Sequence, residues 1–248
     1  MQINLTGKRA LIAGGSRGIG FGIAQCFAKA GADVSICART PGSLAEAQKS
    51  LSSHGGRVLT TACDLGDAQA IKNWVNHSAA ELGGIDILVN NASAFGRQDS
   101  EEDWAASVQI DLMASVRARA AALPFLVKQG GNLIHISSIS GLKATVRSVP
   151  YGAIKAAMME YTQTQALSYA KKNIRVNCIA PGSVFFEGGN WDKVKRDNPK
   201  LYEATLAKIP FGRYGKPEEI GQVVAFLVSD LGSWVTGQTI VVDGGQTL

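Results

Sequence analysis

The chain has 248 residues, 46% hydrophobic and 18% charged, which suits a soluble globular protein with a large core. Its net charge of +5 is spread along the chain, only "KVKRDNPK" (193–200) being dense in cations, and no zinc-finger or RNA-binding signature occurs, so no nucleic-acid partner is expected. No apolar run reaches the ~18 residues of a membrane span, and "MQINLTGKRALIAGG" lacks the cationic stretch and long apolar segment of a signal peptide, so a cytoplasmic, membrane-free protein is expected.

In chain order, strands are predicted at 9–13, 33–38, 57–62, 86–90, 132–137, 174–179 and 239–242, and helices at 18–30, 43–54, 67–82, 103–128, 151–171 and 217–229. Short, nearly continuous apolar strands alternating with helices indicate βαβ units: an α/β fold with a doubly wound parallel sheet of seven strands and helices on both faces. No linker interrupts the chain, so residues 1–248 are read as one domain. Cys26, Cys37, Cys63 and Cys178 form no C-x-x-C pair and are read as free thiols, with no metal site. In such sheets, ligands bind beyond the carboxyl ends of the strands.

After the first strand, "GGSRGIG" sets Gly14, Gly18 and Gly20 in a G-x-x-x-G-x-G turn that opens a helix. Glycines at such a place allow a tight turn and close approach of backbone to a pyrophosphate at a helix N-terminus; Ser16 and Ile19 of the same turn join the expected cofactor contacts. An NAD-selecting site places a carboxylate about 20 residues further on, for the ribose 2′-hydroxyl. Here that place reads Ala38-Arg39, and Arg17 stands inside the glycine turn. Two guanidiniums and no carboxylate suit a 2′-phosphate, so NADP(H) is expected in preference to NAD(H). Asp64, after the third strand, is read either as an acceptor for the adenine amino group, with Leu65 beside it, or as a cap for the helix beginning near Asp67.

"YGAIK" puts Tyr151 and Lys155 four residues apart, on one face of a helix. A cation beside a phenol favours the phenolate, so the pair is read either as an acid/base unit or as an ordinary surface pair.

Taken together, the glycine turn, "CDL" (63–65), "NNAS" (90–93), "ISSISG" (136–141), "YGAIK", "APGSV" (180–184) and "VDGG" (242–245) occur in an order that resembles the short-chain dehydrogenase/reductase family over nearly the whole chain. "RYGKPEEI" (213–220) looks like the subgroup containing 3-oxoacyl-carrier-protein reductases. The resemblance implies a Rossmann-type fold and an NADP(H)-dependent oxidoreductase interconverting a carbonyl and a secondary alcohol. It implies Tyr151 as the acid/base and Lys155 as the residue that tunes the phenol and holds the nicotinamide ribose. Ser138 would donate to the substrate oxygen, and Asn90 would brace the cofactor pocket. Pro181, Gly182 and Val184 would line the nicotinamide, Val184 through its backbone. It further implies a homotetramer, with the Ala-rich helices 103–128 and 151–171 in contact.

Three positions depart from the family pattern: Ala13 for Thr, Ser93 for Gly, and Asp111 for an Asn that helps hold a water on the proton relay to the lysine. An ionised Asp111 would stabilise the Lys155 cation, so activity with an altered pH profile is expected. The stretch 183–211 is read as a substrate lid, with Phe185, Phe186, Trp191 and Tyr202 as an apolar surface or Lys193, Lys195 and Arg196 as contacts for an anion. Alternative readings are a 3-oxoacyl-thioester reductase and a non-catalytic NADP(H)-binding regulatory protein. The enoyl-reducing branch spaces Tyr and Lys about seven residues apart, where this chain has Met158.

Overall fold

The protein is described by a computed structural model covering residues 2–248. Seven strands make one all-parallel sheet: β1 (Arg9–Ala13), β2 (Asp33–Ala38), β3 (Val58–Ala62), β4 (Ile87–Asn90), β5 (Gly131–Ile136), β6 (Ile174–Pro181) and β7 (Thr239–Val242). Their spatial order is β3-β2-β1-β4-β5-β6-β7, so the chain reverses its direction of winding between β1 and β4 and opens a crevice there. The expected doubly wound sheet is therefore the observed one.

The helices are α1 (Gly18–Lys29), α2 (Pro41–Leu51), α3 (Ala68–Leu82), α4 (Glu101–Ser107), α5 (Ala114–Gln129), α6 (Val149–Tyr169), α7 (Asn190–Asp197), α8 (Pro199–Leu206) and α9 (Pro217–Val228). Local chemistry sets their starts. Pro41 and Pro217 occupy first helical positions, where no N–H is needed. Asp67 caps α3 by accepting from Gln69 N at 2.7 Å, and Glu219 in the first turn of α9 accepts from Lys216 N at 2.7 Å.

Successive strand residues alternate between two cores. Ala10, Ile12, Val34, Ile36, Ile87, Val89 and Ile134 face a cluster with Phe27 of α1 and Val224 of α9. Leu11, Leu88, Leu133 and Val176 face Trp74 of α3 and Ala118 and Leu126 of α5. Full burial of each large apolar side chain contributes roughly 1.5–3 kcal/mol. The Trp74 indole N–H donates to Ser35 Oγ at 3.1 Å, and that hydroxyl meets Ser78 Oγ at 2.7 Å, so these three buried polar groups partner one another. At the amino edge of the sheet, Arg9 pairs with Asp86 at 2.7 Å and Arg57 with Asp33 at 2.6 Å. Asp33 thus belongs to the edge opposite the crevice.

Two expected spans differ. The helix expected over 103–128 is broken: α4 gives way at Val108–Met113 to a turn of π-helix before α5 begins. A π turn widens the ladder by one residue and re-aims the side chains on it; Asp111 lies within it. The stretch 183–211, to which the apolar pattern assigns no strand or helix, contains α7 and α8. Both are short, α7 buries no residue, and their polar composition hides them from a search for apolar periodicity.

Candidate active site

The carboxyl edge of the sheet gathers the motifs. Ala13 pairs in register with Cys37 on one side and Asn90 on the other, and Asn90 with His135. The glycine turn leaves β1 here. Gly14 has φ +73, and a Cβ on Gly20 would lie 2.2 Å from Gly14 O and 2.5 Å from Asn91 Nδ2, so only glycine allows this closure. Asn91 Nδ2 donates to Gly14 O at 2.9 Å and braces the turn. Motif reading passed over Asn91, although it stands in "NNAS" beside Asn90.

The N-terminus of α1 has no side-chain cap and no acidic residue in its first turn, so its leading N–H groups are free to face an anion. Gly18 and Gly20 are buried in that turn and Ile19 is half-buried; the Phe186 ring lies over Gly18. This glycine cradle at a helix start fits the diphosphate of a dinucleotide. Arg17 and Arg39 are exposed on the same side, and neither pairs with a carboxylate among the described residues. Ser43 Oγ, in the first turn of α2, reaches Ser16 Oγ at 3.2 Å and adds a hydroxyl that the sequence did not single out. Asp64 is exposed and accepts from Gly66 N at 2.9 Å, Leu65 is buried beside it, and the cap of α3 is Asp67.

Further along the edge, three consecutive residues at the end of β5 tie it to α6. Ile136 O accepts from Lys155 Nζ at 3.0 Å. Ser137 Oγ donates to Lys155 O at 2.6 Å. Ser138 is nearly buried and opens a single 3-10 turn, its Oγ accepting from Ser140 N at 3.1 Å. Gly141 of that turn packs against the backbone of Lys155 and Ala156, so Ser138 is held beside α6. Tyr151 stands in the first turn of α6, half-buried, with Lys155 Nζ 5.3 Å from its ring centroid. The ring of Phe95 packs on Tyr151, with ring centroids 4.6 Å apart.

Asp111, delivered by the π turn, places Oδ1 3.1 Å from Lys155 Nζ, with both side chains buried. Its Oδ2 accepts from Ala94 N at 2.8 Å. Burial pushes the Lys155 ammonium down, but the charges of Asp111 and then Tyr151, with a hydrogen bond that Asp111 accepts, outweigh it and leave the pKa raised.

Asn90 Nδ2 meets His135 Nδ1 at 3.2 Å, and Asn90 Oδ1 is buried without a hydrogen-bond partner among the described residues. His135 Nε2 lies 3.3 Å from Gln165 Oε1. Complete burial, partly opposed by Gln165 and reinforced by the charges of Lys155 and Arg119, lowers the His135 pKa to about 4. This buried histidine reads in "NLIHIS" only as a polar residue in a strand.

Pro181 ends β6, Gly182 N donates to Val242 O at 3.0 Å, and Val184 forms an isolated bridge with Gly215, fixing the chain as it enters the 183–211 stretch. There Tyr202 stacks on Tyr214 at 4.5 Å, with Trp191 5.2 Å from Tyr214. Among the cations of this stretch, Arg196 pairs with Asp192 at 3.5 Å on an exposed face, and Lys195 lies against the Phe185 and Tyr202 rings. Among the described residues no helix is long and apolar enough to cross a membrane.

A family profile described as Enoyl-(Acyl carrier protein) reductase matches residues 13–247. The chain is 37% identical to an isoepoxydon dehydrogenase of Aspergillus clavatus, over 99% of this chain and 96% of that protein. It is 37% identical to a 3-oxoacyl-[acyl-carrier-protein] reductase of Chlamydia trachomatis, over 98% of each. The crystal structure of L-sorbose reductase from Gluconobacter frateurii complexed with NADPH and L-sorbose superposes with a TM-score of 0.91 at 33% identity, covering 99% of this chain and 98% of that one. With the parallel sheet, the glycine turn and the match along its length, the chain belongs to the short-chain dehydrogenase/reductase family of nicotinamide-dependent oxidoreductases and is an enzyme acting on CH–OH groups.

Proposed function

We propose that the protein is an NADP(H)-dependent reductase/dehydrogenase that interconverts a ketone and a secondary alcohol through Ser138, Tyr151 and Lys155. One observation carries the reading: a buried ammonium is pinned beneath a half-exposed phenol, with a serine hydroxyl at the adjoining strand end. The bound nicotinamide supplies or accepts the hydride. Ser138 and Tyr151 donate hydrogen bonds to the carbonyl oxygen as negative charge grows there, and the Tyr151 hydroxyl gives up its proton to it. Lys155 stays charged and stabilises the phenolate left behind; Asp111 is a positioning residue that keeps Lys155 charged.

Gly14, Ser16, Gly18, Ile19 and Gly20 would hold the diphosphate, and Arg17 and Arg39, with Ser43, the 2′-phosphate. Asp64 and Leu65 would face the adenine, and Asn90, Pro181, Gly182 and Val184 the nicotinamide half. Residues 183–211 form the substrate lid. The exposed faces of α5 and α6, where Ala120, Ala153, Ala156 and Ala157 lie, form the subunit contact of a cytoplasmic homotetramer. A 3-oxoacyl-thioester substrate is the second reading, favoured by the similarity to the chlamydial reductase.

Ketones and alcohols assayed with NADPH and NADH side by side, on the wild type and on Tyr151→Phe, test the proposal. Turnover should fall by roughly two to four orders of magnitude in Tyr151→Phe with cofactor binding retained. Undiminished turnover in that variant refutes the acid/base assignment, and cofactor binding without turnover of any carbonyl compound favours a regulatory protein.

A further inference from the structure

Beyond Tyr151 the mouth of the cleft carries a cation that the mechanism above does not use. Ala94 N is bound to Asp111, the partner of Lys155, so the loop after β4 is anchored to the ion pair. The next residue, Phe95, has φ +57, a backbone conformation that costs a non-glycine residue about 1 kcal/mol or more and recurs at functional sites. That conformation accompanies a Phe95 ring packed on Tyr151, and the guanidinium of Arg97 lies over the same ring, 5.2 Å from its centroid. Phenol, ring and guanidinium therefore lie in consecutive contact.

The direction of Arg97 is informative because carboxylates surround it in sequence. Asp99, Glu101, Glu102 and Asp103 all follow within six residues. Asp103 Oδ2 accepts from the backbone N–H groups of Arg97 and Gln98, and Asp99 Oδ1 accepts from Trp104 Nε1. The guanidinium forms an ion pair with none of them. It turns instead across the cleft to Asn190 at the start of α7, where Nη2 donates to Asn190 Oδ1. Its remaining donors make no hydrogen bond among the described residues. A planar fork of N–H donors at the mouth of a cleft matches a carboxylate, which it binds by two parallel charge-assisted hydrogen bonds.

We propose that Arg97 is a substrate-recognition residue, so that the preferred substrates are small oxo acids or hydroxy acids whose carboxylate is held by Arg97 while the carbonyl oxygen faces Tyr151. The proposal rests on the reductase reading above and narrows its substrate class. The redox step is unchanged: the carbonyl carbon gains a hydride, the oxygen gains the Tyr151 proton, and the carboxylate takes no part.

Matched substrates test it. 4-Oxopentanoic, 5-oxohexanoic and 6-oxoheptanoic acids, each beside its methyl ester, are assayed with NADPH on the wild type, Arg97→Ala and Arg97→Lys. One chain length of acid should exceed its ester in kcat/KM on the order of tenfold. Arg97→Ala should remove that advantage through KM, leaving kcat and the ester unchanged, and Arg97→Lys should restore part of it. The same acids are also titrated into the NADPH complex and read by nicotinamide fluorescence. If ketones turn over but acid and ester are equivalent, or Arg97→Ala lowers both in proportion, the carboxylate subsite is wrong and the reductase reading stands. If no ketone turns over yet the acids bind in an Arg97-dependent way, the subsite stands and the reductase reading falls. If the acids show no preference over their esters and no Arg97-dependent binding, the proposal is overturned.

Discussion

Asp111 Oδ1 and Lys155 Nζ stand 3.1 Å apart in the interior, and the same ammonium donates to the Ile136 carbonyl at 3.0 Å. Burial opposes the Lys155 charge and Asp111 restores it. Because the Lys155 pKa is raised, the stability it contributes is fully present below the ordinary lysine value near 10.4 and is lost as pH climbs through the raised folded value. Asp111→Asn removes the restoring charge but keeps the shape. The alkaline limb of kcat/KM should then move to lower pH, activity near neutrality should survive, and about 3 kcal/mol of stability should be lost. A pH–rate profile superimposable on that of the wild type would show that Asp111 does not govern the lysine.

Cofactor choice should follow the two exposed guanidiniums. Replacing Arg39 by Asp puts a carboxylate where a 2′-hydroxyl would accept it and a 2′-phosphate would not. The ratio of kcat/KM for NADPH over NADH should fall by roughly 10- to 100-fold, the worth of one charge-assisted contact, and Arg17→Ala should act in the same direction. A ratio that stays constant in both variants places the phosphate elsewhere.

His135 makes acid a specific threat to the fold. Its pKa is lowered to about 4, chiefly by burial, so its contribution is fully present above the unfolded value near 6.5 and is lost as pH falls toward the folded one. Between those limits the loss should reach about 3 kcal/mol. Urea denaturation at pH 7 and pH 4.5 measures it. His135→Asn, which cannot take up the proton, should be less stable at pH 7 but should lose less between the two pH values. An equal loss in both proteins would assign the acid sensitivity to other groups.

The strands were legible because a parallel sheet covered on both faces needs unbroken apolar runs, and "RALIA", "DVSICA" and "DILVN" are such runs. The motifs were legible because ligands in such sheets bind beyond the carboxyl ends of the strands, and Gly14, Asn90 and Ser138 stand at those ends. The π turn was not, since "VQIDLM" has ordinary helical residues and the extra residue in the ladder accompanies a distant contact, that of Asp111 with Lys155. Phe95 was missed for a related reason: its positive φ is held by the loop's ties to Asp111 and Tyr151, and no local residue type announces it. The cluster of Asn90, His135 and Gln165 joins β4, β5 and α6 across the interior, and only the folded register brings those residues together.

The ion pairs of Arg9 with Asp86 and Arg57 with Asp33 lie at one rim of the sheet, while every group assigned to chemistry lies at the other. Mutational drift at the two rims is therefore uncoupled. The loops after β4 and β6 are free to diverge toward new reactants without eroding the fastenings below. A descendant of this protein would change what it recognises through positions such as Arg97 and Asn190 long before it changed how it folds.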